Sequence, residues 1–186
     1  RRLQAVRQEH RNLLRFVEEV AQYQRWRRRA YVAENPASSM SWQQPSLRRA
    51  FAGNTDVVTH HCVWQKRRPD SGLLIKKPTR FKGTPAVCKA VDRQCDGSHP
   101  HGPVLGTMKL EDGTRQSVTA WAGGYSRPLA TALVKGAEQH LESHFAAQVS
   151  GTFPVEPAEE PPEAQEDEET SNGIPEERFE RSSEFG

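Results

Sequence analysis

From Gly151 to Gly186 the chain has almost nothing to bury: prolines and glutamates dominate, with 2 basic and 12 acidic side chains. Such a segment cannot offset the entropy of ordering its own backbone, so residues 150–186 are expected to form a disordered acidic tail. Packed structure must then come from residues 1–149. Those residues are of opposite character. Residues 1–150 hold 24 basic and 12 acidic side chains, so the formal charge of +2 conceals a basic body of +12 and a tail of −10. A basic body is drawn to polyanions, nucleic acid foremost, although a solvated basic surface without a partner carries the same signature. The tail would act as a solubilising appendage, or fold over the body and compete for the same sites.

Three cysteines do not make a disulfide framework, and they fit a reducing, intracellular setting, nuclear or cytoplasmic, with thiols free or on metal. No apolar run approaches the ~20 residues needed to cross a bilayer, and no secretory signal is present. The chain opens on Arg1 inside a helical pattern, as a piece of something longer would.

Hydrophobic periodicity divides the body. Leu3, Val6, His10, Leu13, Val17 and Val20, widened by Leu14 and Ala21, predict an amphipathic helix over 1–29. It ends in Arg25, Arg27, Arg28 and Arg29 around Trp26, where cations suit the helix dipole or could meet phosphate. Residues 30–149 then read as one α/β module. Ala30 to Ala33 predict a short strand that Glu34-Asn35-Pro36 terminates. A carboxylate at a strand's carboxyl end is placed either to act on a ligand or to cap the next helix. A short helix over 46–51, a β-branched strand over 56–64, a strand over 73–81 interrupted by proline, and a short helix over 85–94 follow. A hairpin around Glu111-Asp112-Gly113 precedes a helix from Ser126 to Val149, striped with Leu129, Leu133, Val134, Ala137, Leu141 and Phe145. The implied fold class is α/β: a short sheet flanked by the first and last helices in a partial three-layer arrangement.

The stretch CDGSHPH, residues 95–101, packs three metal-ligand side chains into a loop of Gly, Ser and Pro. Cys95, His99 and His101 are ligand types that zinc takes, usually four together in a structural site. Cys62 is the best fourth ligand, with His60 or His61 as substitutes. Cys88 is better read as a small buried residue. The other reading of the loop is a polar turn with Cys95 buried and both histidines exposed. If the ion is present, four protein ligands close its coordination and its role is structural.

Five of these stretches in order carry a resemblance. The amphipathic helix, E-N-P with a nearby S-W, a strand ending in cysteine, K-K-P-T-R-F and C-x-x-x-H-x-H together resemble a module of retrotransposon (Copia-like) polyproteins of algae and dinoflagellates. That module is in turn similar to the later half of cytosine-C5 DNA methyltransferases, and the likeness spans roughly residues 20–140. It implies a partial Rossmann-like, methyltransferase-like sheet and a DNA partner. It also implies that Glu34 holds the ring nitrogen of a flipped cytosine, with Asn35 beside it and Lys76, Lys77 and Arg80 near base and phosphate. The family's Pro-Cys nucleophile and its glycine-rich turn for S-adenosylmethionine are both absent from this sequence. The resemblance thus implies a nucleic-acid-associated fragment that does not transfer a methyl group by itself, S-adenosylmethionine entering only with further sequence upstream. A small zinc-stabilised interaction module without a nucleic-acid role is the alternative.

Overall fold

The structure is a computed structural model that describes residues 2–110 and 112–150; most of the expected tail lies outside the described residues. Twelve elements follow one another: α1 (Arg2–Trp26), β1 (Val32–Pro36), α2 (Pro45–Ala50), β2 (Thr55–His60), β3 (Leu74–Ile75), β4 (Pro78–Gly83), α3 (Pro85–Ala90), β5 (His101–Gly102), β6 (Thr107–Lys109), β7 (Arg115–Ser117), α4 (Val118–Ala122) and α5 (Arg127–Val149). Short 3₁₀ turns occupy Met40–Gln43 and His61–Trp64.

The main sheet has three strands in the order β1-β4-β2, and β4 is antiparallel to both neighbours. β1 and β2 therefore run in the same direction without touching. The expected α/β mixture and flanking helices are present, whereas a Rossmann-type run of adjacent parallel strands is absent among the described residues. The only parallel pairing there is the two-residue ladder of β3 with β5. β6 and β7 form the expected hairpin.

Pleat alternation gives the sheet two working faces. Phe81, fully buried, and Val57 point toward a core shared with Trp64, Cys88, Val91 and Leu129, roofed by α3 and α5. Burying one such aromatic removes apolar area worth roughly 2–3 kcal/mol. On the opposite face Ala33 joins Ala21, Trp42, Leu47, Ala50 and Phe51 under α1 and α2. Helix α5 approaches α3 so closely that a Cβ on Gly136 would lie 2.7 Å from Val87 Cα. α1 is fixed to α2 by a two-pronged bond: Arg49 Nε and Nη2 donate to the Glu18 carboxylate at 2.8 and 3.0 Å. Its far end is tied to α5 by the His140 ring, 3.0 Å from Arg28 O.

Several boundaries differ from the sequence expectations. β1 runs through Glu34-Asn35-Pro36 instead of stopping before it, because each of these residues opposes one of β4. Proline is tolerated there since β1 lies at the sheet edge, where a missing N–H breaks no ladder. The proline-interrupted strand over 73–81 splits in two, its first part pairing with β5 and its second entering the main sheet. On α1 the packed side chains are Leu14, Val17 and Ala21, while Leu13, Phe16 and Val20 stay exposed. Leu129 is buried on α5, but Val134, Leu141 and Phe145 are not. No described helix is long and apolar enough to cross a membrane.

Candidate metal centre

β2 ends at His60, and the chain turns at once into the 3₁₀ turn that carries Cys62 into the interior, where it is fully buried. The partner loop is laid against the same strand end. His60 N donates to Arg93 O at 3.2 Å, and Cys95 N donates to His60 Nδ1 at 2.9 Å. Gly97, at φ +83°, occupies a left-handed conformation that few other residues adopt, and its N–H donates to Cys95 Sγ at 3.3 Å. Asp96 Oδ1 accepts from Ser98 N at 2.9 Å, which closes the bend and returns the chain toward Cys95. His101 then enters β5, held parallel to Leu74.

The result is one cluster. Ligand atoms of Cys62, Cys95, His99 and His101 all lie within 4.8 Å of one another. Cys95 Sγ is 3.6 Å from His99 Nε2 and 3.4 Å from His101 Nε2. Zinc bound at about 2.3 Å to sulfur and about 2.05 Å to nitrogen, with tetrahedral angles, sets an S···N edge of about 3.5 Å. The two measured edges bracket that value. A polar turn would have no need to converge four soft ligands, one from a fully buried position, on a common point. The quartet can hold a metal ion, and its two sulfurs and two nitrogens form a donor set that suits zinc.

The electrostatics of the metal-free ligands agree with this reading. Burial, and then the shared hydrogen with Cys95, push the Cys62 thiol up to about 11, so without a cation the buried sulfur stays protonated. A divalent ion reverses that preference. Desolvation lowers His60 and His101, with Lys76 adding to the effect on both, so that each ring is neutral near pH 7 and free to offer a lone pair. His60 is no substitute ligand, because its Nδ1 is occupied by the Cys95 amide. Nor is His61, whose Nε2 sits 3.1 Å from Thr79 Oγ1 on the inner face of the sheet. Burial pushes that imidazole down to about 4. Cys88 lies buried on α3 with Sγ 3.5 Å from Thr55 O, away from the quartet. His60 is the part of the centre that spacing alone did not single out: it positions Cys95 instead of binding metal. A histidine directly before the ligand-bearing turn was the one available signal.

The residues expected around a base are not assembled in one place. Glu34 opposes Phe81 and Asn35 opposes Arg80. Since successive side chains alternate, Glu34 shares the inner face with Phe81 while Arg80 points to the α1 and α2 side. Burial, and then the Glu34 carboxylate beside it, push the Tyr125 phenol above its ordinary range. Glu34 Oε1 is buried without a hydrogen-bond partner. On the other face Arg80 Nε lies 3.5 Å from Asp56 Oδ1, an ion pair without hydrogen-bond alignment, and Lys82 Nζ lies 2.9 Å from Asp56 Oδ2. Asn35 Nδ2 donates to Ser41 Oγ at 3.0 Å, and Lys77 Nζ reaches toward Ala122 O at 3.4 Å. Of the basic residues in KKPTRF, Lys76 alone is exposed, Lys77 and Arg80 being half-buried.

The glycine at the β4–α3 turn, Gly83, has the space where a side chain would stand filled by the backbone of Tyr31 and Val32, so its missing side chain serves strand packing. Searches against protein-family models, curated proteins and solved structures find no match for this chain.

Proposed function

We propose that this chain is a zinc-stabilised, nucleic-acid-associated α/β module, the counterpart of the later half of a retroelement methyltransferase-like domain, without methyl-transfer activity of its own. The convergence of Cys62, Cys95, His99 and His101 carries the zinc reading. Four protein ligands leave no open coordination position, so the ion's role is to pin the loop around Cys95 to the end of β2. Metal analysis of purified, untagged protein tests it: one zinc per chain is expected, and a substoichiometric trace refutes it.

The methyltransferase-like part of the proposal is supported by the ordered motifs and by one topological feature. β1 and β2 run in the same direction and are linked through α2, the sense of an α/β crossover, with β4 inserted antiparallel between them. Any base-directed role of Glu34 must use its own face, with Tyr125, and not Arg80. The nucleic-acid part is supported by the +12 balance of residues 1–150.

The pairing of both Arg80 and Lys82 with the Asp56 carboxylate, which offsets one of their two charges, favours the second reading, a zinc-stabilised interaction module that binds no nucleic acid. Salt-dependent binding to DNA separates the two, since phosphate contacts make affinity fall steeply as salt is added.

A further inference from the structure

The cations that the nucleic-acid reading needs are found elsewhere on the surface. A shallow trough of about 530 Å³ lies between α3 and the first turns of α5. Its rim carries Arg93, Arg127 and Lys135, and no carboxylate is among the residues that line it. All three cations are exposed, and none is in an ion pair within 4 Å that the structure describes. Asp92 and Glu138, each exposed nearby in sequence, point no oxygen into the trough lining. Three like charges around one concavity repel each other, and Arg127 is the first residue of a 23-residue helix, the end that favours anions over cations. That arrangement is relieved by an anion between the three.

The trough is also pre-shaped. Trp64 forms its floor, and the Arg93 guanidinium rests over that ring at 4.8 Å. Trp64 Nε1 donates to Thr59 Oγ1 at 2.7 Å, which donates onward to Arg93 O at 2.8 Å. Ser126 Oγ donates to Trp64 O at 2.7 Å, fixing the start of α5 to the same turn. Two residues beyond Arg93 is Cys95, so the metal centre and the trough share one short segment.

We propose that this trough binds the phosphodiester backbone of nucleic acid, with Arg93, Arg127 and Lys135 each meeting a phosphate oxygen. The inference rests on the nucleic-acid reading above and gives it a location. The buried floor offers no exposed ring for base stacking, and the three rim cations match phosphate oxygens, so the contact proposed is with the backbone and carries no sequence preference. A protein partner would need acidic groups repeating at the spacing of the rim; a phosphate backbone supplies them at every nucleotide.

The experiment is a titration of a labelled DNA duplex, read by fluorescence anisotropy, over salt from about 50 to about 200 mM. Four forms of the zinc-loaded protein are compared: wild type, Arg127→Ala/Lys135→Ala, the charge-keeping Arg127→Lys/Lys135→Arg, and Lys109→Ala/Arg115→Ala on the β6–β7 hairpin. Equal melting temperature and zinc content certify folding. The trough variant is expected to lose about two from the slope of log affinity against log salt, one for each phosphate contact removed. Its affinity at the lowest salt should fall by at least about tenfold, while the charge-keeping and hairpin variants stay near wild type. Wild-type protein that binds no duplex overturns both this proposal and the nucleic-acid reading. Wild-type binding that the trough variant retains, or that the hairpin variant loses equally, overturns the trough alone. Displacement of the duplex by inorganic phosphate at constant ionic strength marks a small-anion site and overturns it too.

Discussion

Removing the metal should unfasten one part of this molecule before the rest. The cluster links Cys62, just after β2, to the loop around Cys95, a closure of about the same span as the 35 residues that separate His60 from Cys95. A covalent-strength link across a loop of that length lowers the entropy of the unfolded chain by an amount equivalent to about 4 kcal/mol at 25 °C. Domains of this size are stable by only about 5–15 kcal/mol in total. At about 2–4 °C per kcal/mol for a body of this size, loss of the link should lower the melting temperature by about 8–16 °C. The assay is thermal unfolding, followed by circular dichroism, of zinc-loaded protein and of protein stripped with a chelator. Native-state hydrogen exchange on the same samples should show amides of residues 93–103 losing protection while those paired in β1-β4-β2 keep theirs. Cys95→Ser should behave like stripped protein and bind zinc at least about 100-fold more weakly, since a neutral hydroxyl replaces a thiolate. A stripped protein that melts within about 2 °C of the loaded form would refute the view that the ion, and not packing, holds this loop.

Zinc binding should release the proton that burial keeps on the Cys62 thiol; calorimetry in buffers of different ionisation enthalpy detects it. Apparent zinc affinity should accordingly rise by at least about tenfold per pH unit near pH 7 and fall away as pH drops. Cys88, whose thiol burial pushes up to about 11, should resist iodoacetamide in native protein and react only on unfolding, as mass spectrometry of tryptic peptides would show. Gly136→Ala should destabilise by about 1–3 kcal/mol in denaturant unfolding, since the new methyl meets Val87 Cα and Ala86 O inside contact distance.

The cluster that can hold a metal was legible because three of its residues fall within seven, a span that a Gly-Ser-Pro bend can close without help from the rest of the fold. Cys62 could be added because the strand leading to it was readable, although that strand stops at His60 and Cys62 sits in the turn beyond, and because few other soft ligands existed. The residues expected around a base are not gathered together, for a different reason. Whether Glu34 and Arg80 face each other depends on the register of two distant strands, and the pairing of Asn35 with Arg80 sends neighbouring side chains to opposite faces. Periodicity along either segment does not contain that parity. The two long helices show a similar limit. Their apolar stripes were visible, but which of Leu13, Leu14, Val17 and Val20 would be covered is decided by where α2 sits. The trough cations escaped notice because Arg93, Arg127 and Lys135 come together only when α5 packs back onto α3.

β1 leaves one margin of the main sheet without a neighbouring strand among the described residues, and Leu13, Phe16, Val20 and Val32 are exposed beside it. Pro36 and the charge of Glu34 interrupt that margin but do not close it. Two copies meeting there could zip their backbones together, so concentrated samples of this chain should drift toward aggregates, and a single charged substitution at Val32 is the simplest way to keep them apart.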